Sequence, residues 1–195
     1  MNKQASHIRS VAVAAVVGAA YAALTMALAP ISYGAVQLRV SEALCILPYF
    51  LPVTAWGLYV GCILANLLTG NLFDILFGSL ATLLAGLLTA RLGRSARRLL
   101  SEPDCDGRLP RSLVGSQLLA CLMPVVFNAL IVGAVITGAY EGLKLTEHLD
   151  VFALNAAFVG LGEAAVLFLL GFFLMRYLPT LRFFREFVYR ANRKT

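Results

Sequence analysis

Long hydrophobic runs with almost no charged residues dominate the sequence. Three of them, residues 11–29, 113–136 and 151–175, are long enough to be membrane-spanning helices, and Glu163 is the only charged residue within them. A helix needs about 20 apolar residues to cross the hydrocarbon core of a bilayer, because its backbone groups must be paired internally there. The pattern therefore predicts an all-α, polytopic integral membrane protein.

The stretch from residue 41 to residue 90 is also apolar, and Glu42 and Asp74 are its only charged residues. Both the N-terminus and the basic loop from Arg91 to Arg111 are expected to be cytoplasmic, and residues 11–29 already make one crossing. An odd number of crossings must therefore lie between residues 41 and 90, and we assign three. Three full spans need about 60 residues, so at least one is short or broken, and Pro48 and Pro52 mark the expected place. The predicted six-helix bundle consists of helices at about 11–29, 41–51, 53–69, 73–92, 112–136 and 151–177.

Composition agrees with a membrane protein and excludes several other classes. Of the 195 residues, 60% are hydrophobic and 13% are charged, whereas a soluble domain contains about 25% charged residues. A water-soluble domain of this length could not bury so much apolar surface, which excludes a soluble enzyme, a disordered tail and a secreted disulfide scaffold. We expect a single membrane domain, 1–195, with a basic cytoplasmic loop at 93–111 and a basic cytoplasmic tail at 178–195.

The basic residues, which give a net charge of +6, lie mainly in three groups between and beside the apolar runs. Such clusters are typical of cytoplasmic loops, and they predict topology rather than a nucleic-acid-binding face. Both termini are therefore predicted to be cytoplasmic. The tail alternates aromatic and basic residues, and we interpret it as an interfacial anchor at the inner leaflet, with a docking contact for a cytoplasmic partner as the alternative. The three groups are Lys3 and Arg9; Arg91, Arg94, Arg97, Arg98, Arg108 and Arg111; and Arg176, Arg182, Arg185, Arg190, Arg193 and Lys194.

Polar residues within the apolar runs concentrate in the half of the membrane opposite these basic groups. A carboxylate at the centre of a spanning helix costs about 2.5–3.5 kcal/mol on insertion scales, so Glu163 is expected to face the bundle interior, either as a functional residue or as a structural carboxylate. Glu42 and Asp74 each begin a helix and could cap it or contact a ligand. Arg39 is expected to pair with Glu42 or Asp74. The amides could bind a ligand or join helices; they are Asn66, Asn128 and Asn155.

Small residues recur along the first helix. Ala15, Ala19 and Ala23 are spaced four residues apart, and a second row of small residues runs beside them. Such a row lets another helix approach closely. The row could serve either a partner protein or packing within the bundle itself.

The sequence contains no recognisable catalytic or metal-binding motif. His7 and His148 lie outside the apolar runs, which leaves intramembrane Ser–His or His–metal catalysis without its histidine. No P-loop is present in the sequence, so any ATP-driven step belongs to a partner. We therefore expect a protein that is not an enzyme, with no cofactor and no metal.

Two blocks of the sequence resemble the QueT family. They are ALAPISYGAVQLRVSE followed by LPYFLP, within residues 27–52, and GLYVGCILANLLTGNLFDILFGSLATLLA, residues 57–85; the likeness also includes the GLGE segment that ends at Glu163. Members of this family are substrate-binding S-components of energy-coupling factor (ECF) transporters, associated with the uptake of queuosine precursors. The resemblance covers the chain from about residue 11 to residue 178.

The resemblance implies six helices in a prokaryotic plasma membrane and an outward-facing pocket that the loop between helices 1 and 2 closes. It also implies a membrane partner, the T-component, that docks on Ala15, Ala19 and Ala23, and two cytoplasmic ATPases. The implied ligand is a queuosine precursor such as 7-aminomethyl-7-deazaguanine (preQ1), a flat bicycle with an ammonium arm. Another vitamin or nucleobase, or an oligomeric channel or membrane scaffold, is the alternative function.

For such a ligand, Glu163 is the expected acceptor for the donor edge of the ring system, and Glu42 or Asp74 the expected partner of the ammonium group. Tyr33 and Gln37 are expected to contact it from the closing loop, with Tyr33 or Phe73 stacking on its face. The expected hydrogen-bonding amides are Asn66, Asn128 and Asn155.

Overall fold

The computed structural model describes residues 3–32, 38–67, 70, 72–102 and 105–192, and these residues form helices joined by loops, with no β-strand among them. Four helical stretches are long and apolar enough to cross a membrane, and two shorter apolar helices lie between the first and the second. The prediction of an all-α membrane protein is thereby confirmed at this level. The four stretches are Ile8–Ala27, Asp74–Leu92, Arg111–Tyr140 and Leu149–Thr180, and the shorter helices are Val40–Tyr49 and Thr54–Leu67.

The individual helices are numbered here in chain order. The α-helices are α1 (Lys3–Ala27), α2 (Ala29–Ser32), α3 (Thr54–Leu67), α4 (Ser79–Leu92), α5 (Arg94–Leu100), α6 (Val114–Val135), α7 (Leu149–Val166), α8 (Phe172–Tyr177) and α9 (Arg182–Asn192). Helices of the 3₁₀ type occupy Val40–Tyr49, Arg111–Leu113 and Leu178–Thr180. Turns of π-helix at Asp74–Gly78, Ile136–Tyr140 and Leu167–Gly171 join or extend α4, α6 and α7.

The second apolar helix is short and irregular, as the two prolines predicted. Val40–Tyr49 is a 3₁₀ helix that contains Pro48, and the chain turns at Pro52 before α3 begins. Ten residues of 3₁₀ helix rise about 20 Å, and the 14 residues of α3 rise about 21 Å. Both lengths are less than the roughly 30 Å of a bilayer's hydrocarbon core, so neither helix spans it alone in a straight crossing.

Helices α1 and α3 pack with their backbones almost in contact. A Cβ atom added to Gly57 would lie 2.1 Å from the carbonyl oxygen of Ala14, and one added to Gly18 would lie 2.5 Å from the carbonyl oxygen of Gly57. Only glycine permits this approach. The row of small residues made by Ala14, Gly18 and Ala22 therefore serves packing inside the bundle.

Two further helices lie in the basic segments where the hydrophobic pattern predicted a loop and a tail. α5 lies in the loop, and α9 lies in the tail and packs against α5. The Phe184 ring of α9 meets the Phe50 ring edge to face at 5.4 Å, and Val188 is fully buried. Both helices are too short and too charged to form a long apolar run, so the hydrophobic pattern of the sequence did not reveal them.

Candidate functional site

A buried carboxyl group in α7 forms the centre of the candidate site. Glu163 is 3% exposed, and its Oε1 atom accepts a hydrogen bond of 2.9 Å from the side-chain amide of Asn128 in α6. Its Oε2 atom is buried and has no hydrogen-bond partner among the described residues. A buried carboxyl oxygen without a partner is costly, so this atom is the clearest acceptor in the bundle for a ligand that carries N–H groups.

The second buried carboxyl group, that of Glu42, is held by the protein itself. Its Oε1 accepts a short hydrogen bond from the Tyr21 hydroxyl of α1, and its Oε2 accepts one of 2.9 Å from the Cys45 thiol. A 3₁₀ helix has three residues per turn, so positions 42 and 45 lie one above the other on the same face. Both oxygens of Glu42 therefore have partners that fix its orientation.

Arg39 places a positive charge close enough to both carboxyl groups to interact with each. It is buried and interacts electrostatically with both Glu42 and Glu163. Burial by itself lowers the pKa of the Arg39 guanidinium, but its interactions with Tyr21 and Cys62, and then with the two carboxyl groups, raise that pKa above its ordinary value. Arg39 therefore remains a cation. The pairing expected with Glu42 is present as an electrostatic interaction, and Glu163 shares it.

The thiol of Cys62 connects the neighbouring polar side chains. It accepts hydrogen bonds from the Asn66 amide at 3.5 Å and from the Thr82 hydroxyl at 3.5 Å, and its sulfur lies 3.8 Å from the Tyr21 hydroxyl oxygen. Asn66 also donates to the backbone oxygen of Asp74 at 3.0 Å. Asn66 thus fixes the end of α3 to the π-turn that precedes α4. This contact lies next to Glu42, Glu163 and Arg39, which we call the carboxyl cluster.

Asp74 and Asn155 make contacts at the same end of the bundle but apart from Glu163. The Tyr140 hydroxyl donates to Asp74 Oδ2. Asn155 donates to the Thr137 hydroxyl at 3.0 Å and to Glu141 at 3.1 Å. Each of these bonds joins the end of α6 to a neighbouring helix, so both residues stabilise the rim of the bundle.

The structure thus brings several residues expected in the ligand site into one cluster, while others lie outside the described residues. Glu163 and Asn128 are bonded directly, and Glu42 and Asn66 join them through Arg39, Tyr21 and Cys62. Tyr33 and Gln37 lie outside the described residues. The sequence analysis did not assign Tyr21, Cys62 and Thr82 to the site. Each is an isolated, weakly polar residue in an apolar run, and no spacing signal distinguishes such a residue from one that faces lipid.

The exposed row of α1 differs from the row that packs against α3. Ala15, Ala19 and Ala23 are exposed on the outer face of the bundle, with the large apolar side chain of Val16 beside them. Within the described chain, no helix covers this row. It therefore forms a shallow apolar strip along α1.

The side chains of the site are suited to hydrogen bonding and to electrostatic interaction. No group of three or more His, Cys, Asp or Glu side chains that could hold a metal ion occurs among the described residues. What the site offers is two buried carboxyl groups, one guanidinium and several amides and hydroxyls. If both carboxyl groups are ionised, one negative charge remains uncompensated.

Comparison with known proteins agrees with the resemblance seen in the sequence. A family model described as QueT transporter matches residues 11–180. The chain is similar to a protein of Lactococcus lactis subsp. cremoris (strain MG1363) named queuosine precursor transporter QueT, with 39% identity over 71 residues, or 35% of this chain and 42% of that relative. The match thus spans less than half of the relative's length. No solved structure matches the chain.

Proposed function

The chain belongs to the QueT transporter family, and we propose that it is the substrate-binding S-component of an ATP-driven ECF importer for a queuosine precursor such as preQ1. The family is one of transporters and not of enzymes, in agreement with the prediction from the sequence. ATP hydrolysis in this proposal is the task of two cytoplasmic partner subunits. The observation that carries the proposal is the unpartnered Oε2 atom of Glu163, buried inside a membrane bundle beside Asn128.

The proposed topology has six crossings, with both termini in the cytoplasm of a prokaryotic cell. Four helices have sufficient length. The proposal assigns the other two crossings to the 3₁₀ helix Val40–Tyr49 and to α3, each together with the residues that flank it, because neither helix is long enough alone. The basic residues of α5 and α9 then lie on the cytoplasmic side. The carboxyl cluster lies toward the outside, where it can receive a solute.

The ligand class follows from the charges and donors of the site. The ring N–H and exocyclic amine of a deazaguanine form a donor edge, and Glu163 can accept from it through Oε2 and through its remaining lone pairs. Asn128 is already oriented toward the same carboxyl group and can supply a further polar contact. If Glu42 and Glu163 are both ionised, their two negative charges exceed the one positive charge of Arg39, and a ligand with a single positive charge, such as one with an aminomethyl arm, restores the balance.

Glu42 and Asp74 can each still accept a hydrogen bond from the ammonium group. Both oxygens of Glu42 accept hydrogen bonds from the protein, while the described bond to the Asp74 side chain uses Oδ2 alone. A carboxylate oxygen has two lone pairs, so either residue can accept one more donor. The proposal therefore keeps Glu42 and Asp74 as partners of the ammonium group, with Tyr33, Gln37, Asn66 and Asn155 as further contacts.

The exposed strip of α1 is the proposed docking surface for the T-component. Ala15, Ala19 and Ala23 lie on the face that does not pack against α3. Small residues at this spacing allow a second helix to approach closely within a membrane. The internal row on the same helix already satisfies the packing of the bundle, which supports a separate role for the exposed row.

A ligand panel tests the proposal. The thermal stability of the detergent-purified protein is measured with preQ1, the cyano precursor, queuine, guanine, thiamine and riboflavin. A ligand that binds only the folded state stabilises it by about 2.7 kcal/mol at a hundredfold excess over its Kd. A shift with preQ1 in preference to the other compounds supports the proposal. A shift with thiamine or riboflavin alone contradicts the substrate, and no shift with any compound favours a channel or a scaffold.

A further inference from the structure

A second polar cluster lies at the opposite end of the bundle, where α4 ends and α6 begins. The Tyr49 hydroxyl shares a hydrogen bond of 2.8 Å with Ser116, and Tyr49 interacts electrostatically with both Arg97 and Arg176. The Arg176 guanidinium donates to the side-chain oxygen of Gln117 at 3.3 Å. These residues come from the 3₁₀ helix Val40–Tyr49, α5, α6 and α8, so the folded bundle brings them together.

The two cations of this cluster have no acidic partner among the described residues. In the described part of the chain, neither Arg97 nor Arg176 forms an ion pair, whereas Arg108, Lys144, Arg182 and Arg190 each do. Both side chains are half-buried. Burial lowers the pKa of the Arg97 guanidinium, and the adjacent Arg94 cation lowers it further, although Tyr49 acts in the opposite direction. Positive charge is thus concentrated here without an ion pair among the described residues.

Gln117 provides an independent indication of a missing acceptor. Its side chain is fully buried, and its Nε2 atom has no hydrogen-bond partner among the described residues. The same amide group accepts the bond from Arg176, so the unpaired N–H lies beside that guanidinium. A buried amide N–H without an acceptor destabilises the fold. The partial negative charge at the end of α8 compensates some of the Arg176 charge, but it leaves this N–H without an acceptor.

From this arrangement we propose that Arg97, Arg176 and Gln117 form a binding site for a phosphate group. A phosphate offers several acceptor oxygens and up to two negative charges, which suits two guanidinium groups and an amide N–H. The source of the phosphate is either the headgroup of an anionic lipid or a free phosphate ion. The site lies at the opposite end of the bundle from the carboxyl cluster and shares no residue with it. The proposal therefore does not depend on the proposed transport function.

The described bonds of Arg97 and Arg176 show which residue can be changed safely. Arg97 donates to the backbone oxygens of Tyr49 and Ala90, both at 2.8 Å, and so supports the local fold. Arg176 has its one described hydrogen bond with Gln117. Arg176→Gln is therefore the test variant. Arg108→Gln is the control, because Arg108 is 86% exposed and its ion pair with Asp106 is at the surface.

The experiment compares two probes on the detergent-purified full chain. Inorganic phosphate is titrated against chloride at equal ionic strength, and phosphatidylglycerol is compared with phosphatidylcholine of the same acyl chains in mixed micelles, with Tm as the readout. We expect phosphate, phosphatidylglycerol or both to raise Tm. We expect the apparent Kd to be at least about tenfold weaker in Arg176→Gln and unchanged in Arg108→Gln. Stabilisation by phosphatidylglycerol alone identifies a lipid headgroup, and stabilisation by inorganic phosphate identifies a free ion.

A second variant supplies the anion covalently. Gln117→Glu places a carboxylate beside Arg176, so we expect a higher Tm without any probe and no further rise with either one. The proposal is wrong if neither probe raises the Tm of the unmodified protein, or if Arg176→Gln and Arg108→Gln respond alike. If Arg176→Gln does not fold, a full phosphate response in Gln117→Glu overturns the proposal. Binding of preQ1 to the same samples reports on the transport proposal separately.

Discussion

Replacement of Glu163 by glutamine separates a ligand-binding role from a structural one. The glutamine side chain has nearly the same shape, and its oxygen can still accept the hydrogen bond that Asn128 donates at 2.9 Å. The position of Oε2, which has no partner among the described residues, is then occupied by an NH₂ group. A donor thus faces the donor edge of the ligand.

The expected effects on stability and on binding have opposite signs. In the unliganded protein, the substitution removes a buried carboxyl group without breaking a described hydrogen bond, so Tm is expected to stay the same or rise. Binding loses one or two hydrogen bonds to a charged group, each of which contributes about 1.5–3 kcal/mol. We expect a loss of about 2–4 kcal/mol in binding, which corresponds to a roughly 30- to 700-fold higher Kd for preQ1.

Isothermal titration of the purified protein measures Kd, and thermal unfolding of the same samples measures stability. The matched control is Glu147→Gln, because the Glu147 side chain is 59% exposed and pairs with Lys144 at 3.0 Å on the surface. The control is expected to bind preQ1 as the unmodified protein does. A Kd for Glu163→Gln within about threefold of the control would refute the reasoning. A large fall in Tm without ligand would instead assign Glu163 a structural role.

Three further predictions concern the interior contacts of α1, its packing against α3, and its exposed face. Tyr21→Phe removes the hydroxyl that donates to Glu42, so the free energy of unfolding should fall by about 1–3 kcal/mol; an unchanged Tm would show that this bond is dispensable. Gly57→Leu should prevent folding, because its Cβ would lie 2.1 Å from the Ala14 carbonyl oxygen, and a monodisperse, ligand-binding variant would contradict the packing described. Ala15→Leu should leave ligand binding intact and abolish co-purification with the T-component, whereas retention of the partner would remove this row from the docking surface.

The sequence by itself determined the class of the protein and the positions of its main helices. Runs of apolar residues can be stable only in a bilayer or a fully buried core, and Pro48 predicted the short, irregular second helix. The sequence also predicted that Glu163 faces the bundle interior, because a carboxyl group in such a run is too costly to face lipid. These conclusions depend on local composition, which can be read directly from the sequence.

The tertiary structure alone decided which side chains meet. The bond from Tyr21 to Glu42 and the approach of Arg39 to Glu163 join helices far apart in the sequence. An amphipathic helix reveals its inner face through its pattern, but a helix that is apolar on every side carries no such signal. The two rows of small residues on α1 therefore looked equivalent. Only the rotation of α1 against the glycines of α3 placed Ala14 inside and Ala15 outside, because that rotation is fixed by close packing between backbones and not by hydrophobicity.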